Sequence, residues 1–155
     1  MKPKEILVFG ATGNIGRNLI RKLTKNNYKV VAVTRNIHQK GFQLKTQANP
    51  GYLELVELEN LNEEKMKYLF GNCSVCVNLI GILYEKKKGQ FNKIHSLLTD
   101  ILSKIAKEKK IDQFIHVSAL GVENASDSMY AKSKLDGEKN VRKNFKKSLI
   151  LKPSI

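Results

Sequence analysis

A chain of 155 residues that is 41% hydrophobic and 27% charged has the composition of an ordered domain with a real core, which excludes a disordered or fibrous class. Its two cysteines exclude a disulfide scaffold and suit a reducing cytoplasm, and no apolar run has the length of a membrane span or signal-peptide core. The net charge of +14 comes from 24 lysines against 4 arginines spread along the sequence, with no aromatics placed for base stacking, so nucleic acid is not the expected partner.

In chain order, the apolar run Ile6-Leu7-Val8-Phe9 predicts a strand over 5–9, followed at once by Gly10-Ala11-Thr12-Gly13-Asn14-Ile15-Gly16-Arg17. An amphipathic helix is predicted over 14–26 from Ile15, Leu19, Ile20 and Leu23. Glycine permits the sharp turn between the two, and such a turn leaves a helix N-terminus bare, with free N–H groups and the positive end of the macrodipole outward. That combination binds a pyrophosphate. The spacing G-x-x-G-x-x-G makes Gly10, Thr12, Gly13, Asn14, Ile15 and Gly16 the candidate cradle, with Arg17 adding positive charge at the helix start.

The second strand, over 29–34, ends at Thr34-Arg35-Asn36 with no Asp or Glu beside it. An acid there accepts ribose hydroxyls and selects NAD, whereas Arg accommodates a 2′-phosphate, so Arg35 and Asn36 predict NADP(H) ahead of NAD(H). The segment 37–50 is polar and irregular and carries at most a short helix. A third strand is expected over 52–56, with Glu57 and Leu58 at its exit, then a helix over 63–70.

Cys73-Ser74-Val75-Cys76 runs into a fourth strand over 75–80. Along an extended strand residues three apart face opposite sides, about 10 Å apart, so the two thiols are expected to be structural and no metal site is predicted. Leu79, Ile80 and Gly81 end that strand. Helix is predicted over 91–109, including His95, whose simplest role is a satisfied core imidazole. A fifth strand over 113–118 ends at Ser118, a helix follows over 128–145, and a sixth strand over 148–152 leads to Pro153 and Ile155. Strands alternating with helices predict an α/β fold with a doubly wound parallel sheet in the order 3-2-1-4-5-6.

Tyr130 and Lys134 sit four apart on the helix predicted over 128–145, so both side chains share a face. An ammonium beside a phenol favours the phenolate and brings a group of pKa about 10 closer to use. Tyr84 and Lys88 have the same spacing, but they fall in a basic loop.

The glycine turn, Asn78-Leu79-Ile80-Gly81, Phe114-Ile115-His116-Val117-Ser118, Tyr130-x-x-x-Lys134 with Gly137-Glu138, and Leu151-Lys152-Pro153-Ser154 occur in one order along the chain. In that order they resemble the extended and atypical short-chain dehydrogenases/reductases. The branch resembled holds the NADPH-binding accessory subunit of respiratory complex I and epimerase/dehydratase-like relatives. The resemblance implies that Tyr130 exchanges a proton with substrate, that Lys134 holds the nicotinamide ribose and that Ser118 assists. It places Glu57 and Leu58 around adenine, Leu79, Ile80 and Gly81 along the ribose and pyrophosphate, and Pro153 and Ile155 near the nicotinamide ribose. Ala119 stands where the family usually has its serine, and His95 where it has Asn. These departures favour a cofactor-binding accessory role over an NADP-dependent oxidoreductase or epimerase. The resemblance further implies a respiratory-complex partner, and with it a cytoplasmic protein peripheral to the inner membrane. Residues 1–155 are expected to form one Rossmann domain, the family's substrate lobe being absent from these residues.

Overall fold

The computed structural model describes residues 5–58, 60, 62–125 and 127–154. The strands are β1 (Glu5–Phe9), β2 (Val30–Thr34), β3 (Leu53–Glu57), β4 (Cys73–Asn78), β5 (Gln113–Val117) and β6 (Leu149–Leu151). They form one parallel sheet in the order β3-β2-β1-β4-β5-β6, the topology expected from the sequence. The helices are α1 (Asn14–Lys25), α2 (Phe42–Gln47), α3 (Glu63–Leu69), α4 (Leu98–Glu108) and α5 (Met129–Asn144). Among the described residues no helix is long and apolar enough to cross a membrane.

Side-chain alternation along β1 divides the core into two layers. Leu7 and Phe9 face one side with Val31, Val33, Cys76 and Phe114, under residues of α3, α4 and α5 such as Met66, Leu102 and Val141. Ile6 and Val8 face the other side with Val30, Ala32 and Val77, beneath Ile20 of α1 and Leu44 of α2. β1 and β2 are buried on both faces, which is why they read as continuous apolar runs rather than as alternation.

Two local features depart from the expectations. The β1–β4 register moves from Glu5↔Cys73 to Ile6↔Val75, so Ser74 is an extra residue in β4. This bulge undoes the alternation that would have separated the thiols, and Cys73 and Cys76 lie in the same core layer. Both thiols are held above their ordinary pKa by burial, Cys73 to about 12, so they stay protonated and unreactive. The helix expected over 91–109 opens as a wider π-helical segment (Asn92–Leu97) before α4, and the segment after β2 also begins with a π-helical turn (Ile37–Gly41).

Candidate functional site

Gly10, leaving β1, has φ +77°, and a Cβ there would stand 2.9 Å from the Leu79 carbonyl carbon at the end of β4. Only glycine meets both conditions. Gly16, in the first turn of α1, lies so close to the β1 exit that a Cβ would fall 2.5 Å from the carbonyl oxygens of Gly10 and Ala11. Gly13 differs from both. Its backbone is ordinary (φ −71°, ψ 172°), and a Cβ would find only the Gly10 oxygen, at 3.4 Å. Nothing inside the protein requires glycine there, yet Gly13 lines the cleft, where a side chain would fill the approach to the helix end.

α1 also lacks the side-chain cap that α3 and α5 carry. The Asn62 side chain accepts from Lys65 N–H at the start of α3, and Ser128 accepts from Ala131 N–H at the start of α5. α1 begins at Gly13 with no side-chain cap and no acidic residue in its first turn. Its orphan amides and dipole are left for an external anion.

This helix end opens into a cleft of about 440 Å³ at the carboxyl edge of the sheet, the place where open α/β sheets bind ligands. Of the residues predicted from sequence, Gly10, Thr12, Gly13, Arg35, Leu58, Leu79, Ile80 and Gly81 line it. The sequence reading missed Lys40 from the π-helical turn after β2, and Ile82, Gln90 and Lys93 from the stretch after β4. No carboxylate is among the described residues lining the cleft, whereas Arg35, Lys40 and Lys93 bring three positive charges. The residues present therefore fit a ligand carrying several phosphate charges and a flat apolar portion.

Several predicted residues are turned elsewhere. The side chains of Asn14 and Ile15 are exposed on α1 outside the cleft lining, so their place in the cradle rests on their backbone N–H groups, and Gly16 serves the strand–helix contact. Arg17 donates from Nη1 to Gln43 Oε1 of α2 at 3.3 Å, so its charge is directed at the neighbouring helix rather than into the cleft. Asn36 accepts from Gln39 N–H at 3.0 Å, and Glu57 accepts from Ile37 N–H at 2.6 Å. Both satisfy amides of the turn after β2 and neither lines the cleft. Ile155 lies outside the described residues. The Pro153 carbonyl accepts from Leu120 N–H at 3.1 Å, tying the exit of β6 to the loop after β5.

The Tyr130–Lys134 pair lies beyond the Gly81 end of the cleft. A Cβ on Gly81 would be 3.4 Å from Lys134 Nζ. The ammonium is buried and donates to the Val117 carbonyl at 3.2 Å. Burial lowers its pKa to about 8, against a smaller opposing pull from Glu138. Tyr130 does not show the expected lowering: burial raises its pKa, because its ring is packed edge-on against Phe91 and His95. Ser118 is not free to assist, since its Oγ donates to buried Glu138 Oε1 at 2.6 Å. Lys152 pairs with the same carboxylate at 3.0 Å.

Two buried histidines sit beneath this end. His95 accepts from Ile82 N–H through Nε2 at 3.0 Å and bonds Ser133 Oγ through Nδ1 at 2.8 Å, the satisfied imidazole expected from sequence. His116, unremarked in the sequence except as part of β5, takes Asn78 Nδ2 at its Nδ1 (3.3 Å) and leaves Nε2 buried without a partner among the described residues. Burial, then the charge of Lys134, lowers the two imidazoles to about 4 and about 3, so both are neutral.

Comparison with known proteins agrees with this geometry. A family described as NAD(P)H-binding matches residues 10–153. The chain is 29% identical over 147 residues to the mitochondrial NADH dehydrogenase [ubiquinone] 1 alpha subcomplex subunit 9 of Mus musculus, covering 95% of this chain and 39% of that protein. The 40 kDa subunit of NADH-ubiquinone oxidoreductase from Neurospora crassa matches with the same identity and coverage. The chain thus spans about two-fifths of the length of these relatives. Among solved structures, a Bacillus halodurans protein assigned to the NAD-dependent epimerase/dehydratases superposes with TM-score 0.83 at 22% identity, over 97% of this chain and 70% of that one. UDP-glucuronic acid 4-epimerase from Bacillus cereus, in complex with NAD, gives TM-score 0.78 at 25% identity, over 97% and 55%. With the family match running from the glycine turn to the exit of β6, over the same cradle, sheet order and cleft, this chain belongs to the NAD(P)H-binding family.

Proposed function

We propose that the cleft holds NADP(H) in preference to NAD(H), and that residues 1–155 form one cofactor-binding domain with an accessory rather than a turnover role. The observation that carries the preference is the set of Arg35, Lys40 and Lys93 around a cleft whose described lining holds no carboxylate. The free α1 amides and Gly13 would receive the pyrophosphate, and Arg35, with Lys40, the 2′-phosphate. Leu58, Leu79 and Ile80 would pack the adenosine portion, with Lys134 and Gly81 toward the nicotinamide ribose.

A bound nicotinamide supplies a transferable hydride. The side chains that would accompany such a transfer are poorly disposed for it: Ser118 is engaged with Glu138, and burial raises the Tyr130 pKa, making the phenol a weaker proton donor. A ligand held without turnover still stabilises the fold by mass action. The similarity to subunits of mitochondrial NADH dehydrogenase supports a respiratory-complex partner, and through it a peripheral position at an energy-transducing membrane, on its cytoplasmic side in a cell without mitochondria. The second reading, an NADP-dependent oxidoreductase or epimerase acting through Tyr130 and Lys134, is favoured by one observation. The Lys134 ammonium is buried at the Gly81 end of the cleft, with its pKa brought down to about 8.

Native mass spectrometry of the purified protein separates the two. Co-purified NADPH that stays reduced when carbonyl and nucleotide-sugar substrates are added is the expected result. Sustained NADPH oxidation that Tyr130→Phe abolishes would establish the enzyme reading instead.

A further inference from the structure

The polar atoms of His95 join two parts of the site by hydrogen bonds, the cleft wall after β4 and the start of α5. Its Nε2 accepts the N–H of Ile82, a residue of the cleft wall. An amide N–H can only donate, so the ring proton is on Nδ1, which donates to Ser133 Oγ at 2.8 Å. Ser133 Oγ in turn donates to the Tyr130 carbonyl at 2.7 Å. The same ring stacks on Phe91 (centroids 5.5 Å, 20°) and meets Tyr130 edge-on (5.3 Å, 88°). The imidazole is 1% exposed, so neither bond is exchanged with water.

The backbone fixes the ring as firmly as the side-chain bonds do. His95 lies in the π-helical segment ahead of α4, and its carbonyl comes so close to α5 that a Cβ on Gly137 would collide with it. The stretch 79–89 between β4 and the helical turn that begins at Gln90 has no helix or strand of its own, yet it gives the cleft Leu79, Ile80, Gly81 and Ile82. Glu85 holds the far side of that stretch by accepting from Phe91 N–H at 2.7 Å. On the near side, the Ile82–His95 bond ties it to the body of the protein.

We infer that His95 is a positioning residue that clamps the cleft wall at Ile82 to the Tyr130 turn of α5, so that the wall is already placed before a dinucleotide arrives. The clamp rests on the reading of the cleft as a dinucleotide site only for its effect on affinity, not for its effect on the wall. A preplaced wall removes the ordering cost of the 79–89 stretch from binding. It also assigns the two ring nitrogens separate jobs, Nε2 for the wall and Nδ1 for the α5 turn.

Conservative substitutions divide those jobs. A glutamine amide reaches the position of Nε2 and can accept from Ile82, whereas an asparagine amide reaches only the position of Nδ1 and can donate to Ser133. The test measures amide hydrogen exchange over 79–93, NADPH affinity by fluorescence titration and Tm, in the native protein and in His95→Gln, His95→Asn and His95→Leu. His95→Gln should keep slow exchange at Ile82 and affinity within about twofold, while Asn and Leu lose protection there and bind NADPH about five- to tenfold more weakly, the effect of one lost hydrogen bond. Unchanged exchange at Ile82 in His95→Leu overturns the clamp, as does a loss in all three variants that tracks Tm alone. If the native protein binds no dinucleotide, the cofactor reading fails, and the exchange rates alone still decide whether the clamp exists.

Discussion

Ser118 Oγ donates to Glu138 Oε1 at 2.6 Å, and both side chains are buried, Glu138 to 3% exposure. The hydroxyl at the end of β5 therefore stabilises a buried carboxylate that Lys152 also neutralises, and it joins β5, α5 and the exit of β6. A serine held in this way is a structural donor. Ser118→Ala should cost about 1–3 kcal/mol of stability by leaving a buried charge short of one hydrogen bond, with NADPH affinity unchanged. Urea unfolding and a fluorescence titration on the same preparation check both halves, and a stable variant with weakened binding would return Ser118 to the site.

The glycines of the cradle should separate by the object each one faces. A Cβ at Gly16 meets two backbone oxygens at 2.5 Å, so Gly16→Ala is expected to cost about 1–3 kcal/mol or more through overpacking between α1 and the β1 exit. A Cβ at Gly13 meets one oxygen at an ordinary 3.4 Å, so Gly13→Val should fold with a near-native Tm and lose dinucleotide binding. Circular dichroism melting alongside the titration distinguishes them. Normal NADPH binding by Gly13→Val would show that the phosphates lie elsewhere.

The strand order and the cradle were legible because their signals are local: apolar runs of strand length, glycines at fixed offsets, and a helix directly after them. The bulge at Ser74 left no such mark, since one extra residue in Cys73-Ser74-Val75-Cys76 changes no composition, and it put both thiols on one face. Lys40 and Lys93 were hidden by the abundance of lysine, against which two cleft cations look like ordinary surface charge. The Ser118–Glu138 pair depends on the rotation of α5. That helix buries Ser133, Lys134 and Glu138 along with Ala131 and Val141, so its inner face has no purely apolar stripe to reveal which polar side chains point inward.

Stability should fall on mild acidification through the two buried imidazoles. Folding lowers His95 from the ordinary 6.5 to about 4 and His116 to about 3, chiefly by burial. Between those values and 6.5 the unfolded chain binds protons that the folded chain does not, so stability is full above pH 6.5 and declines as pH falls below it. Each imidazole contributes a slope approaching about 1.4 kcal/mol per pH unit well inside that window, flattening below about 4 for His95 and about 3 for His116. Urea midpoints between pH 7 and 5, above most of the carboxylate range, isolate this effect. A flat profile there would mean that neither imidazole is held neutral in the fold.

Cofactor preference is the central claim, and parallel fluorescence titrations of the native protein and Arg35→Ala with NADPH and NADH test it most directly. The arrangement of Arg35 and Lys40 around a cleft lined by no described carboxylate predicts that the native protein binds NADPH at least about tenfold more tightly, the effect of a charge-assisted bond to the 2′-phosphate. Arg35→Ala should bring the two affinities to within a few-fold, almost entirely by weakening NADPH. Equal or tighter binding of NADH by the native protein would contradict the account.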